Sequence, residues 1–228
     1  MKLNETYLVK NKIAVIFDLD GVIVNTAKYH YIAWKEIANK LGFDFTEKNN
    51  ERLKGVSRMD SLEILLKIGK KELSQHEKEE IAKQKNDLYK VLIKDIKPYE
   101  ILPGVKNLLE KIRSEGILTA IGSASKNATI ILEKLSLISL FDAIIDGNNI
   151  SKAKPHPEIF LKAAKKLKVI PKNCLVFEDA EAGIEAAINA GMKCIGVGSI
   201  DVLKKADLVI SGLDKINFNS ILKILSIK

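Results

Sequence analysis

Ile13-Ala14-Val15-Ile16-Phe17-Asp18-Leu19-Asp20-Gly21-Val22-Ile23 is the stretch whose reading decides the fold. Five apolar residues in a row, three of them β-branched, describe a strand buried on both faces, the habit of a central strand in a parallel sheet. Two acids fall where that strand ends. Ligands in open α/β sheets bind outside the carboxyl ends of the strands, so Asp18 and Asp20 stand where chemistry is done, and Gly21 lets the backbone turn at once.

Carboxylates this close repel and lose solvation, so one must hold a proton or a cation must sit between them. Mg2+ with a phosphate ligand meets both needs, because it takes oxygen ligands and is commonly held by one or two carboxylates plus phosphate. Asp18 could then attack phosphorus to form an aspartyl phosphate, and Asp20 could pass a proton to or from the sugar or water oxygen. Taken alone, Asp-x-Asp is a common pattern and an acidic turn without chemistry is the plainer reading. Groups further along the chain decide between the two.

The 228 residues suffice for one large domain, or a core with an insertion, around a substantial apolar centre. No apolar run approaches the roughly 18 residues of a membrane span. Met1 to Lys12 has no apolar core and does not read as a secretory signal. A cytoplasmic monomer without a membrane partner is expected. Cys174 and Cys194 lie in apolar, strand-like runs without Cys-x-x-Cys spacing, and read as buried, reduced thiols. The net charge of +8 comes from 37 basic residues dispersed among 29 acids. With no basic block and little interleaved aromatic character, that pattern suits a solvated surface drawing phosphorylated small molecules rather than nucleic acid.

After Thr26 the period changes. Trp34, Ile37, Ala38 and Leu41 recur at helical spacing up to Gly42; Leu62, Leu65 and Leu66 mark a second helix ending at Gly69; Ile81, Leu88 and Leu92 mark a third before Pro98. No strand is expected between residues 28 and 97. From Pro98 helices and strands alternate: helix 104–113, strand 117–121, helix 129–137, strand 143–145, helix 157–167, strand 175–177, helix 182–190, strand 195–197, strand 208–210 and a last helix. The expected fold is therefore α/β, a doubly wound parallel sheet with a Rossmann-like core made of residues 1–26 and 98–228. Residues 27–97 form an inserted α-helical cap domain, tethered twice and placed as a lid.

Three more strand ends or loops carry polar groups. Gly122-Ser123-Ala124-Ser125-Lys126-Asn127 offers small residues, a hydroxyl and a helix N-terminus to an anion, with Ser123 as phosphate ligand; an ordinary N-cap fits equally well. Lys154, between Ala153 and Pro155, suits a fixed charge on a transferring phosphoryl group, though by itself it is one lysine among many. Glu178-Asp179 would complete the oxygen shell of Mg2+, or else complement a helix dipole. Three strands ending in the groups that phosphoryl transfer needs outweigh the separate plain readings.

Asp18-Leu19-Asp20-Gly21, Ser123, Lys154-Pro155 and Glu178-Asp179, in that order and with a helical cap after the first, resemble the haloacid-dehalogenase-like hydrolase superfamily over the whole chain. Thr26-Ala27-Lys28-Tyr29-His30 with Trp34, Leu53 to Ser61, Gln84-Lys85-Asn86-Asp87 and Ser123 to Asn127 are similar to its sugar-phosphate mutase branch. The resemblance implies interconversion of β-glucose 1-phosphate and glucose 6-phosphate through the 1,6-bisphosphate, on a small phosphorylated sugar and with Mg2+. It makes Asp18 the phosphorylated nucleophile and Asp20 the general acid/base. The metal ligands would be the Asp18 carboxylate, the Asp20 backbone carbonyl, Glu178 and Asp179, and Ser123 and Lys154 would steady the moving phosphoryl group. Arg58 would grip the distal phosphate, assisted by Ser125, Lys126 and Asn127, while His30, Trp34, Lys54, Gly55, Val56, Ser57, Ser61 and Lys85 would line the sugar site. Lys54 to Ser61 also reads, from its residues alone, as a glycine-containing loop capped by Ser57 or Asp60. Asn25 and Lys28 replace the acids common at the hinge, and Ala153 replaces a frequent serine. A phosphatase of the same superfamily is the second reading; a non-catalytic phosphosugar- or nucleic-acid-binding module is the third.

Overall fold

Alternation of apolar side chains across the pleat builds the sheet. The computed structural model describes residues 12–225. Six parallel strands, β1 (Ala14–Phe17), β2 (Leu118–Gly122), β3 (Ala143–Ile145), β4 (Cys174–Glu178), β5 (Lys193–Val197) and β6 (Leu208–Ile210), stand in the order β3-β2-β1-β4-β5-β6. Val15 and Phe17 enter one apolar cluster with Ile121, Leu175 and Phe177. Ala14 and Ile16 enter another with Ala120, Cys174 and Val176, as a period of two requires.

Helices cover both faces. The first cluster takes residues of α5 (Val105–Ser114), α6 (Ala128–Lys134) and α10 (Phe218–Ile224); the second takes residues of α7 (Glu158–Leu167), α8 (Glu181–Asn189) and α9 (Ile200–Leu203). The strand order reverses beside β1, where Phe17 is in register with Ile121 of β2 and Phe177 of β4. Ligands bind outside the strand ends at such a reversal. Both cysteines are free and buried in the second cluster.

Between β1 and β2 lie the cap helices α1 (Ala27–Lys40), α2 (Glu47–Glu51), α3 (Arg58–Gly69) and α4 (Gln75–Leu92). They close their own apolar cluster around Trp34, Ile37, Phe45, Leu62 and Leu65. The short helix α2 was not expected, because Glu-Lys-Asn-Asn-Glu has no apolar stripe; the Thr46–Asn49 capping box defines it instead. Helix α6 stops at Lys134, short of the expected 137. Ser136 turns left-handed (φ 57°), its N–H reaches the Glu133 carbonyl at 3.0 Å, and the Leu137 N–H reaches Leu132 at 2.9 Å, a Schellman ending. Among the described residues no helix is long and apolar enough to cross a membrane.

Candidate active site

The carboxyl ends of β1, β2 and β4 converge. The Asp18 N–H donates to the Phe177 carbonyl at 2.9 Å, so the ladder runs one step past the strand and fixes the first acid in place. Lys154, on the loop between β3 and α7, sends Nζ to Asp18 Oδ1 at 2.6 Å and to both Glu178 oxygens at 3.4 Å. Its side chain and that of Glu178 have no solvent exposure.

Asp18, Glu178 and Asp179 each offer one oxygen, all within 4.8 Å of one another. Lys154 bonds two of these three carboxylates, and the charge of Lys54 reaches the third, Asp179. Burial first, then the charge of Asp18, pushes Asp179 up to about 7 and holds Glu178 well above the usual carboxylate range. Burial disfavours the Lys154 ammonium, yet Asp18 and Glu178 outweigh it and keep the group charged. Buried oxygens with this surplus of negative charge fit a divalent cation.

Two glycines make room for the acids. Gly21 has φ +84°, and a Cβ there would overlap Oδ2 of Asp179; a Cβ on Gly183, in α8, would overlap Oε1 of Glu178. Gly183 carried no signal in the sequence beyond a glycine within a helical run.

Asp20 accepts a hydrogen bond from Thr26 Oγ1, a fully buried hydroxyl at the start of α1. Burial, with the charge of Asp18 adding to it, raises the Asp20 carboxyl to about 6. In the sequence Thr26 marks only the change of period and the start of the Thr26-Ala27-Lys28-Tyr29-His30 stretch. Ser123 is fully buried, and its Oγ accepts the Ser125 N–H at 3.1 Å; α6 begins five residues after Ser123 and its N-cap, Asn127, makes no side-chain capping bond. Ser123 is therefore not an N-cap.

Above these groups lies a cavity of about 550 Å3 between cap and core. Asp18, Asp20 and Asp179 reach it from the core, with Ser125, Lys126 and Asn127. His30, Trp34, Lys54, Gly55, Val56, Ser57, Arg58, Ser61 and Lys85 reach it from the cap. Ser123, Lys154 and Glu178 sit buried behind its wall. The Ser57 hydroxyl is already occupied: as N-cap of α3 it accepts the Asp60 N–H at 3.2 Å and donates to Asp60 Oδ2 at 2.6 Å. Capping and lining, set against each other in the sequence, coexist. Trp34 is 1 % exposed and lies 4.9 Å beneath Lys85 Nζ, so it mainly supports that cation.

Lys85 Nζ meets His30 Nδ1 at 2.9 Å. Burial first, then Arg58, brings Lys85 down to about 7, and burial with Lys85 holds His30 well below its ordinary value. His30 is the neutral acceptor of that pair. Arg58 and Lys126 make no salt bridge among the described residues, although the charge of Asp87 favours the Arg58 guanidinium from nearby. Gly55 brings the cap against the core, where a Cβ on it would lie 2.7 Å from Cβ of Ala180.

A parallel sheet in this order, with acids from two strands, a lysine between them and a helical cap above, defines a phosphoryl-transfer member of the haloacid dehalogenase-like hydrolases. The model of that family matches residues 15–197, and the chain belongs to the family. Among its relatives is the β-phosphoglucomutase of Bacillus subtilis (strain 168), 47% identical over 86% of this chain and 88% of its own. The crystal structure of β-phosphoglucomutase from Clostridium difficile superposes with a TM-score of 0.90 at 46% identity, covering 94% of this chain and 97% of that one. A phosphorylated carbohydrates phosphatase of Thermotoga maritima is 32% identical over 80% of this chain and 83% of its own.

Proposed function

We propose that the chain interconverts β-glucose 1-phosphate and glucose 6-phosphate as a β-phosphoglucomutase, with β-glucose 1,6-bisphosphate as intermediate. The observation that carries this reading is the cavity itself: one end holds the acids of phosphoryl transfer, and its walls add Arg58 and Lys126, cations those acids do not neutralise. A substrate with a second, non-reacting phosphate supplies the missing charge, and the guanidinium of Arg58 suits a phosphate's geometry. The 47% identity to the Bacillus enzyme supports the same conclusion.

In the reaction, the 6-hydroxyl of β-glucose 1-phosphate attacks the phosphorus carried by Asp18 as the ionised Asp20 removes its proton; the new O–P bond forms, the Asp18–phosphorus bond breaks and the bisphosphate results. After the bisphosphate reorients, Asp18 attacks the other phosphorus, the bond from that phosphorus to the sugar C1 oxygen breaks and the oxygen takes the proton from Asp20, which leaves glucose 6-phosphate and phosphorylated Asp18. A carboxyl at about 6 is suited to both giving and taking a proton near neutrality. Lys154 holds Asp18 in position, and Ser123 steadies the moving group. Mg2+, held by Asp18, the Asp20 backbone carbonyl, Glu178 and Asp179, would neutralise charge on the phosphoryl oxygens. Residues 27–97 act as the movable cap, because the bisphosphate must turn over between the two transfers.

The phosphatase relative keeps a second reading in view, in which water rather than sugar relieves Asp18. Arg58→Ala separates them. It should lower isomerisation far more than hydrolysis of acetyl phosphate, which has no distal phosphate; equal losses would contradict the role given to Arg58.

A further inference from the structure

We propose that Asn86 of the cap is a further binding residue of this site, donating its amide N–H groups to the non-reacting phosphate of the sugar phosphate. The proposal rests on the reading above, since it needs a substrate whose far phosphate lies between cap and core. Asn127 Nδ2 donates to Asn86 Oδ1 at 3.0 Å, a bond that joins α4 to the core loop ahead of α6 across 41 residues of sequence. Asn127 is itself 4 % exposed and does not move freely.

A carboxamide has one oxygen and one NH2 group. With its oxygen committed to Asn127, Asn86 turns two N–H donors elsewhere, and no acceptor among the described residues takes them. Asn86 Nδ2 is not among the buried polar atoms lacking a partner, and Asn86 lines the cavity together with Arg58, Ser125, Lys126 and Asn127. Donors that are accessible, oriented by a buried neighbour and set beside the cations Arg58 and Lys126 match a phosphate, whose oxygens only accept when it is fully ionised. Lys85, one residue earlier, is occupied with His30 and does not compete. The bond to Asn127 fixes the amide before the substrate arrives, which lowers the ordering cost of binding. Because Asn127 sits on the core, the donors take up this position only while the cap is down.

Asn86 could instead be only a latch between cap and core, and Asn86→Asp separates the two roles. A carboxylate still accepts from Asn127 and keeps the latch, but it offers no donor and repels phosphate. Steady-state kinetics on β-glucose 1-phosphate, with Mg2+ and trace bisphosphate, should show KM raised about tenfold or more with kcat within about threefold of the parent chain. A folded Asn86→Asp protein whose KM stays within about twofold of the parent overturns the proposal, as does a fall in kcat with KM unchanged. If the melting temperature shows that Asn86→Asp does not fold, Asn86→Ala decides on two substrates: KM raised for β-glucose 1-phosphate but unchanged for acetyl phosphate, which has no distal phosphate, supports the donor role, whereas an equal rise for both, as loss of a latch would give, or no rise overturns it. For the sugar phosphate, KM is read from glucose 6-phosphate. Absence of isomerisation by the unsubstituted chain would count against the mutase reading, and the affinity for β-glucose 1,6-bisphosphate, measured by calorimetry, would then decide on Asn86: binding weakened about tenfold or more in Asn86→Asp supports the donor role and unchanged binding overturns it.

Discussion

Asp179 is crowded by design of its neighbours: Gly21 has no side chain because one would fall on its Oδ2, and φ of +84° disfavours any other residue there. Gly21→Ala should displace the carboxylate and lower kcat by about a hundredfold or more, as an ångström of misplacement can, and should abolish stabilisation by Mg2+. Thermal melts with and without the ion check the second effect. The raised carboxyls add a pH dependence. Asp20 and Asp179 move from an ordinary value of 3.8 to about 6 and about 7, so through that window the folded chain holds protons that the unfolded chain has released. Stability of the metal-free protein therefore falls as pH rises from about 4 to about 7. A cation competes with those protons, so saturating Mg2+ should raise the melting temperature more at pH 8 than at pH 5; equal gains would contradict the metal assignment. The acids were legible in the sequence because each follows a buried apolar strand. The roles of Thr26, Gly183 and Asn86 were not, because a threonine ahead of a helix, a glycine within one and an asparagine on a polar helix face acquire meaning only from how the chain folds back on Asp20, Glu178 and Asn127.

The two chain crossings between cap and core are tied at one side chain. Glu100 is 5 % exposed, accepts from the Tyr29 hydroxyl at 2.8 Å and from the Lys97 N–H at 3.0 Å, and pairs with Lys28 at 2.8 Å. Burial works against its charge, but Lys28 and Tyr29 outweigh that and lower its pKa. Glu100→Ala should cost about 2–4 kcal/mol, since it strands buried partners. Lys28→Ala should cost less than about 1 kcal/mol, because its half-exposed ammonium is screened. Urea unfolding measures both, and comparable losses would mean that Lys28 rather than the buried network holds the hinge. Lys28 had stood out only as a departure from the usual acid; its partner lies 72 positions later in the numbering (100 − 28), beyond reach of local pattern. Most amphipathic or wholly apolar elements were readable to within a residue or two, α6 with its early stop at Lys134 excepted. Helices α2 and α9, five and four residues long, were not, because capping and tertiary contacts rather than periodicity define them.

At the scale of the molecule, alternating helices and strands implied a parallel sheet with an inserted cap. The order of strands, with β1 between β2 and β4, is what brings Asp18, Ser123 and Glu178 to one rim. The net charge of +8 could not by itself separate a phosphosugar from a polyanion; the cleft of about 550 Å3, lined by Arg58, Lys85 and Lys126, favours the small ligand. Asp18→Asn should reduce isomerisation by several orders of magnitude, as loss of a covalent nucleophile does, and retained isomerisation would contradict Asp18 as the group that carries the phosphoryl. The central claim meets its most direct test when β-glucose 1-phosphate is supplied with Mg2+ and a trace of β-glucose 1,6-bisphosphate, and glucose 6-phosphate and inorganic phosphate are followed together. The account predicts that glucose 6-phosphate forms in large excess over phosphate; rapid release of phosphate with little glucose 6-phosphate would contradict it.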